Sequence, residues 1–206
     1  MKTRLVFAAV ALIVLAFPAC RSMPKVSRVA ASTQVDLSGN WNDTDVRQVC
    51  DSLIRDCLNS DNVANFIRQF SAQHGRQPTV IVGAFRNNSS EHIDTGIISK
   101  SMEIAIVNSG RLDFVAGGDT RTELRAERDD QQMNSSMATA SALANETGAN
   151  FMLTGSVNLI EDRAGNTSVR SYFVSAELTN IETNRRLWMG ENNEIKKVIT
   201  RPRAKL

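Results

Sequence analysis

Residues 78–118, PTVIVGAFRNNSSEHIDTGIISKSMEIAIVNSGRLDFVAGG, leave this 206-residue chain few ways to fold. Thr79 to Phe85 is an uncharged run rich in β-branched residues, stopped by Asn87-Asn88-Ser89-Ser90, the pattern of a buried central strand and its loop. Beyond Thr95, the residues Ile98, Met102, Ala105 and Ile106 recur at helical spacing, and Ser109-Gly110 stands where a helix C-cap belongs. Arg111 to Val115 reads as a second strand. A helix long enough to cross a sheet between two strands predicts a parallel, right-handed pairing.

The flanks extend this βαβ core. Asn42-Asp43-Thr44 supplies N-cap side chains for a helix whose Val46, Val49, Cys50, Leu53, Ile54, Cys57 and Leu58 form one apolar stripe. Asp61-Asn62 is expected to cap a second helix, with Val63, Phe66, Ile67 and Phe70 inward and Gly75 at its end. Asp119 to Met133 is too polar for a well-buried helix, and Met137, Ala140, Leu143 and Ala144 predict a further short one. Phe151 to Leu159 alternates as a strand, and Arg163-Ala164-Gly165-Asn166 turns into a return strand with Tyr172, Val174, Ala176 and Leu178 on one face. A turn at Glu182-Thr183-Asn184 leads to a last strand from Leu187. The expected fold class is α/β, a mixed sheet with a βαβ core and a C-terminal antiparallel meander, flanked by helices.

At the N-terminus, Lys2 and Arg4 precede an apolar run from Leu5 to Phe17 and then Pro18-Ala19-Cys20, the layout of a secretory signal and too short for a permanent membrane span. Cys20 after Ala19 resembles a bacterial lipobox, which implies acylation of that thiol, and Arg21 in place of Asp favours the outer membrane. An ordinary signal peptide cleaved near Ala19 is the alternative. The resulting division is a signal peptide over 1–19, a lipidated cysteine and short tether over 20–35, a globular domain over 36–197 and a basic tail over 198–206. The tether reaches about 50 Å fully extended. The formal charge of +2 is lost with Lys2 and Arg4, so net charge suggests no nucleic-acid partner. The residues after Ile195, including Lys196 and Lys197, read as a solvated basic end.

Candidate chemistry is sparse. Ser89, Ser90, Glu91, His92 and Asp94 hold catalytic residue types, but neighbours along one loop rarely converge as nucleophile, base and orienter, and His74 is the sole other histidine. Neither a defensible metal-ligand spacing nor a nucleotide-binding or zinc motif is present, so no cofactor is expected. Cys50 and Cys57 lie about 10.5 Å apart along their helix, beyond disulfide reach, and predict a pair of buried free thiols.

The runs VIVGAFRNNSSEHIDT, IVNSGRLDFVA, GANFMLTGSV and ELTNIETNRRLWMG, in order between about Val35 and Lys197, resemble the LpoB family of outer-membrane lipoproteins that activate a penicillin-binding protein. The resemblance implies a fold like the N-terminal domain of TolB, binding rather than catalysis, and a bifunctional peptidoglycan synthase as partner. It also implies a periplasmic-facing, lipid-anchored location. Members of that family with a long Pro-rich linker contrast with the short tether here. An envelope secretion module of the CsgG kind is the alternative, but no segment supplies its membrane-crossing hairpins. The expected contact surface is the polar loop with Asn87, Asn88, Ser89 and His92, or the charged helix with Arg121, Arg125 and Arg128, because exposed loops and arginines carry recognition.

Overall fold

A computed structural model describes residues 26–133 and 148–202. The leader with Cys20, the short helix expected around Met137 to Ala144 and the end of the basic tail lie outside the described residues. The chain divides into two compact units, 1–33 and 34–206. In the first, residues 26–33 are exposed, and their one feature is a turn closed by the Thr33 N–H on the Ala30 carbonyl at 2.9 Å.

The second unit is built on one sheet. Helices α1 (Asp43–Asn59) and α2 (Asp61–His74) are followed by β1 (Thr79–Asn87), α3 (Thr95–Ser109), β2 (Asp113–Phe114) and α4 (Gly118–Met133). The chain ends with β3 (Phe151–Ala164), β4 (Thr167–Asn180), β5 (Arg186–Asn192) and β6 (Lys196–Thr200). The strand order is β2-β1-β3-β4-β5, with β6 also on β4. As expected, the βαβ pairing is parallel, but β1 lies next to the edge rather than at the centre, a place taken by β3, and the second strand shrinks from the predicted Arg111–Val115 to two residues. Its backbone bonds to β1 and the residue before it are the Asp113 N–H on the Pro78 carbonyl at 3.0 Å and the Val115 N–H on the Val80 carbonyl at 3.1 Å, while Leu112 is buried in the core.

β3 and β4 pair antiparallel in unbroken register from Phe151↔Asn180 to Ala164↔Thr167. The far edge of β4 is shared end to end, β5 on Val174–Thr179 and β6 on Thr167–Ser171. At the join the Tyr172 N–H donates to the Ile195 carbonyl at 3.0 Å. The last strand is therefore one edge interrupted at residues 193–195, and it carries the domain to Thr200, three residues past the expected boundary.

α1 and α3 form where side chains both cap them and give them an apolar face. Asn42 and Asp45 make a capping box at α1, and the seven stripe residues of that helix are all buried. At α2 the cap is Ser60 rather than Asp61 or Asn62, and its side chain makes no capping bond; the turn shared with the end of α1 positions it instead. Gly75 and Gly110 close α2 and α3 in the left-handed conformation. α1 packs on α2, α3 and β5, while α3 lies on β1. Together they cover one sheet face, where Val80, Phe85, Leu153, Val157, Tyr172, Val174 and Leu178 meet Val49, Leu53, Ile98, Met102 and Ile106. A β-bulge between Val82 and Phe85 turns the Phe85 ring over Gly155, where any Cβ would run into that ring and the Ser175 carbonyl.

Candidate functional site

The polar loop after β1 is held in one shape by its own short side chains. Asn87 Nδ2 donates to the Glu91 carbonyl at 2.7 Å, and Asn87 Oδ1 accepts from the Ser89 N–H at 2.9 Å, an Asx-type turn. The Glu91 N–H donates to Ser89 Oγ at 3.2 Å. Asn88 is fixed to the sheet: its N–H reaches the Val157 carbonyl at 2.9 Å and its Nδ2 reaches Asn158 Oδ1 at 3.2 Å. Asn87, Asn88, Ser90 and His92 are exposed, and Ser89 is half-buried.

Glu91 turns the other way. Its Oε1 accepts from Tyr172 Oη at 2.8 Å and pairs with Arg170 Nη1 at 3.0 Å, and its Oε2 accepts from the Trp41 N–H at 3.0 Å. The Glu91 and Arg170 side chains are 11% and 15% exposed, so this is a buried ion pair. Burial, and then the hydrogen bond to Glu91, push the Tyr172 phenol well above its ordinary range. The Trp41 ring lies 5.2 Å from that of Tyr172. Arg170 also reaches Glu161 at 3.4 Å and Asn40 Oδ1.

Beside this pair sits Lys197, which the sequence suggested was part of a solvated end. Its Nζ bonds Asp45 Oδ2 at 2.6 Å, Asp36 Oδ1 at 2.9 Å and the Asn40 carbonyl at 2.8 Å. Burial alone would lower the Lys197 pKa, but the bonds to Asp45 and Asp36 together outweigh it and raise it. The same contact holds the Asp36 carboxyl below its usual range. The segment from Asp36 to Asp45 is thus sewn to β4 and β6 by two adjoining polar clusters. Gly39 sits directly on Ile199, at a positive φ and with no room for a Cβ.

These contacts give Glu91 and Ser89 structural duties. His74 Nδ1 donates to the Phe70 carbonyl at 3.0 Å and its ring stacks on Phe70. Among the described residues no group of three or more His, Cys, Asp or Glu side chains could hold a metal ion. Cys50 and Cys57 are unpaired and buried. Burial, and then the neighbouring Asp51 or Asp56, push each thiol up to about 12, which disfavours the reactive thiolate.

The charged helix α4 is arranged otherwise. Arg121, Arg125 and Arg128 recur on one face, with Arg121 Nε donating to the Ala116 carbonyl at 2.9 Å and Arg128 Nε to the Leu124 carbonyl at 3.4 Å. Arg125 is exposed, and α4 packs on none of the other described helices or strands. The polar loop and the arginine face are therefore two separate surfaces. Two shallow cavities, each of about 540 Å³, lie elsewhere: one between residues 34–39 and β6, the other on the open sheet face around Arg86, Thr154, Ser156, Glu177 and Met189. Sequence reasoning missed the outer side of α3. Ile97, Ile104 and Val107 are each a little over half exposed there, opposite the buried Ile98, Met102 and Ile106. The available signal was a helix apolar on both sides.

Residues 45–194 match the family model described as peptidoglycan-synthase activator LpoB. The chain belongs to the LpoB family. That family's role is activation of a peptidoglycan synthase, so the LpoB assignment makes this an envelope-associated regulatory protein. Among solved structures, it is similar to the LpoB C-terminal domain from Escherichia coli at 14% identity and a TM-score of 0.45, over 76% of this chain and 99% of that one. The Salmonella enterica LpoB C-terminal domain matches at 14% identity, a TM-score of 0.41 and the same two coverages. Lipoprotein GNA1162 from Neisseria meningitidis matches at 15% identity and a TM-score of 0.38, over 62% of this chain and 88% of that one. No curated protein matches the sequence.

Proposed function

We propose that this LpoB-family protein is an outer-membrane lipoprotein, anchored through Cys20, that binds a bifunctional penicillin-binding protein and raises its glycan-polymerising activity by binding alone. The observation that carries the proposal is the match of residues 45–194, most of the folded domain, to activators of peptidoglycan synthases. The lipobox-like Pro18-Ala19-Cys20 supports the anchor, and no helix among the described residues is long and apolar enough to cross a membrane. In this reading 1–19 is the signal peptide, 20–35 the lipidated start and tether, and the folded unit begins near residue 36. The loop bearing Asn87, Asn88, Ser89 and His92 and the helix bearing Arg121, Arg125 and Arg128 are the polar contact elements. Both are exposed and both carry residue types suited to recognition.

The deciding experiment is a glycan-polymerisation assay with each bifunctional synthase of the host, with and without the full chain purified in detergent. Acceleration by a stoichiometric amount is expected, weakened by Arg125→Glu or Asn88→Arg. Failure to bind or accelerate any synthase would refute the activator reading. Separately, Cys20→Ser is expected to release the protein from membranes under alkaline washing, and persistent attachment would refute the anchor.

A further inference from the structure

The geometry points to the outer face of α3 as an apolar docking surface for the synthase, distinct from the polar loop and from α4. Ile97, Ile104 and Val107 fall at i, i+7 and i+10, within one side of the helix, and each is 53–54% exposed. The opposite side, with Ile98, Met102 and Ile106, is already sealed against the core. A helix on a sheet needs one apolar stripe, so a second stripe of three β-branched residues adds nothing to the fold and is weakly disfavoured by helix propensity. It is the largest cluster of exposed aliphatic side chains on any one described helix. Its N-terminal end joins the rigid loop through buried Ile93 and the Asp94 cap, so the stripe is presented on a fixed element.

Size and charge select the occupant. Three side chains exposed by about half uncover on the order of 300 Å², the scale of functional patches on monomers. A stable dimer needs roughly 800 Å² from each copy, which this face lacks, whereas a reversible contact forming part of a larger interface does not. An anionic bilayer is also a poor fit. The one cation within the stripe, Lys100, is bonded to Glu103 at 2.8 Å, and Asp94 adds a carboxylate at its edge. The remaining occupant is an apolar, uncharged patch on the periplasmic part of the partner enzyme. This inference rests on the activator reading and adds the contact face to it.

The test is Ile97→Lys with Ile104→Lys in the full chain, assayed for binding to and acceleration of the host synthase, with Leu124→Lys on α4 as a comparison. Both α3 positions are exposed, so an unchanged thermal midpoint is expected, together with a loss of affinity of about tenfold or more. Val107→Ser, which adds no charge, is expected to weaken binding by a smaller factor and so separates lost apolar contact from introduced repulsion. Wild-type affinity in the double variant, while the wild type still activates, would overturn the docking face and leave the activator reading standing. A wild type that binds no synthase would overturn both. Concentration-dependent dimers of the wild type that α3 substitution abolishes would overturn the choice of occupant in favour of a second copy. Flotation with anionic vesicles by the unlipidated Cys20→Ser chain, lost in the double variant, would overturn it in favour of a membrane.

Discussion

Between β1 and α3 the chain spends six polar residues on a loop pinned from both sides, whereas between β2 and β3 it builds a 16-residue helix that rests on no other described element. Composition barely distinguishes the two. The difference comes from one carboxylate: Glu91 turns inward to accept from Trp41 and Tyr172 and to pair with Arg170, while α4 satisfies Arg121 and Arg128 on backbone carbonyls of its own neighbourhood. A polar segment becomes rigid when partners distant in sequence complete a buried network, and a run of charges that bonds locally does not. The loop is thus a pre-shaped surface, and α4 carries its charges on a helix that packs on no other described helix or strand.

The contrast can be broken most severely at Glu91. Glu91→Ala removes the common acceptor and leaves Arg170 short of its buried partner, so a loss of about 3 kcal/mol or more is expected in urea denaturation. A change below about 1 kcal/mol would mean that the pair is solvated and the loop not anchored by it.

Alkaline pH is expected to produce the next largest effect, through groups outside α4, which contains no lysine, tyrosine or cysteine. The folded state raises the pKa of Cys50 and Cys57 from 9.0 to about 12 and also raises those of Tyr172 and Lys197. Groups whose folded pKa is raised stabilise fully below their unfolded pKa and lose that contribution as pH rises through the folded value. The thermal midpoint should therefore be flat up to about pH 8.5 and fall steadily above it. A midpoint unchanged at about pH 11 would contradict burial of these groups.

Tyr172→Phe sharpens the comparison by removing one donor to Glu91 while keeping the ring against Trp41. About 1 kcal/mol is expected from equilibrium unfolding, less than Glu91→Ala because Arg170 and Trp41 still serve the carboxylate. Equal losses in the two variants would assign the whole effect to the phenol. On α4, Arg125→Glu should leave stability within about 0.5 kcal/mol while weakening synthase binding. A destabilisation near 2 kcal/mol would show that α4 is built into the fold after all.

The parts legible in the sequence were those with short-range periodicity. The α1 stripe, the α3 core stripe, the alternation of β3 and β4 and the left-handed Gly75 and Gly110 all occur where the pattern put them. What sequence could not supply were the long-range polar partners. Glu91 reads as a member of a reactive cluster because nothing local announces Trp41 or Arg170, and Lys197 reads as a tail because its two carboxylates lie over 150 residues away. The second α3 stripe was hidden by the first, since one helix-periodic match already explained the segment. The break between β5 and β6 escaped notice because Ile195 is needed in the core while its carbonyl still serves Tyr172.

The pairing of β1 has a consequence for the order in which this protein can take shape. Its partner on one side is a two-residue strand, and on the other it is β3, more than 60 residues further along the chain. When residues up to 133 are in place, β1 has almost no ladder, and the helices have no sheet to cover. The β3–β4 hairpin, joined by the two-residue turn Gly165-Asn166, is local and can form by itself, after which β1 must close a long loop to reach it. A chain threaded through a membrane N-terminus first would therefore stay unfolded, and fit for passage, until its last third had emerged.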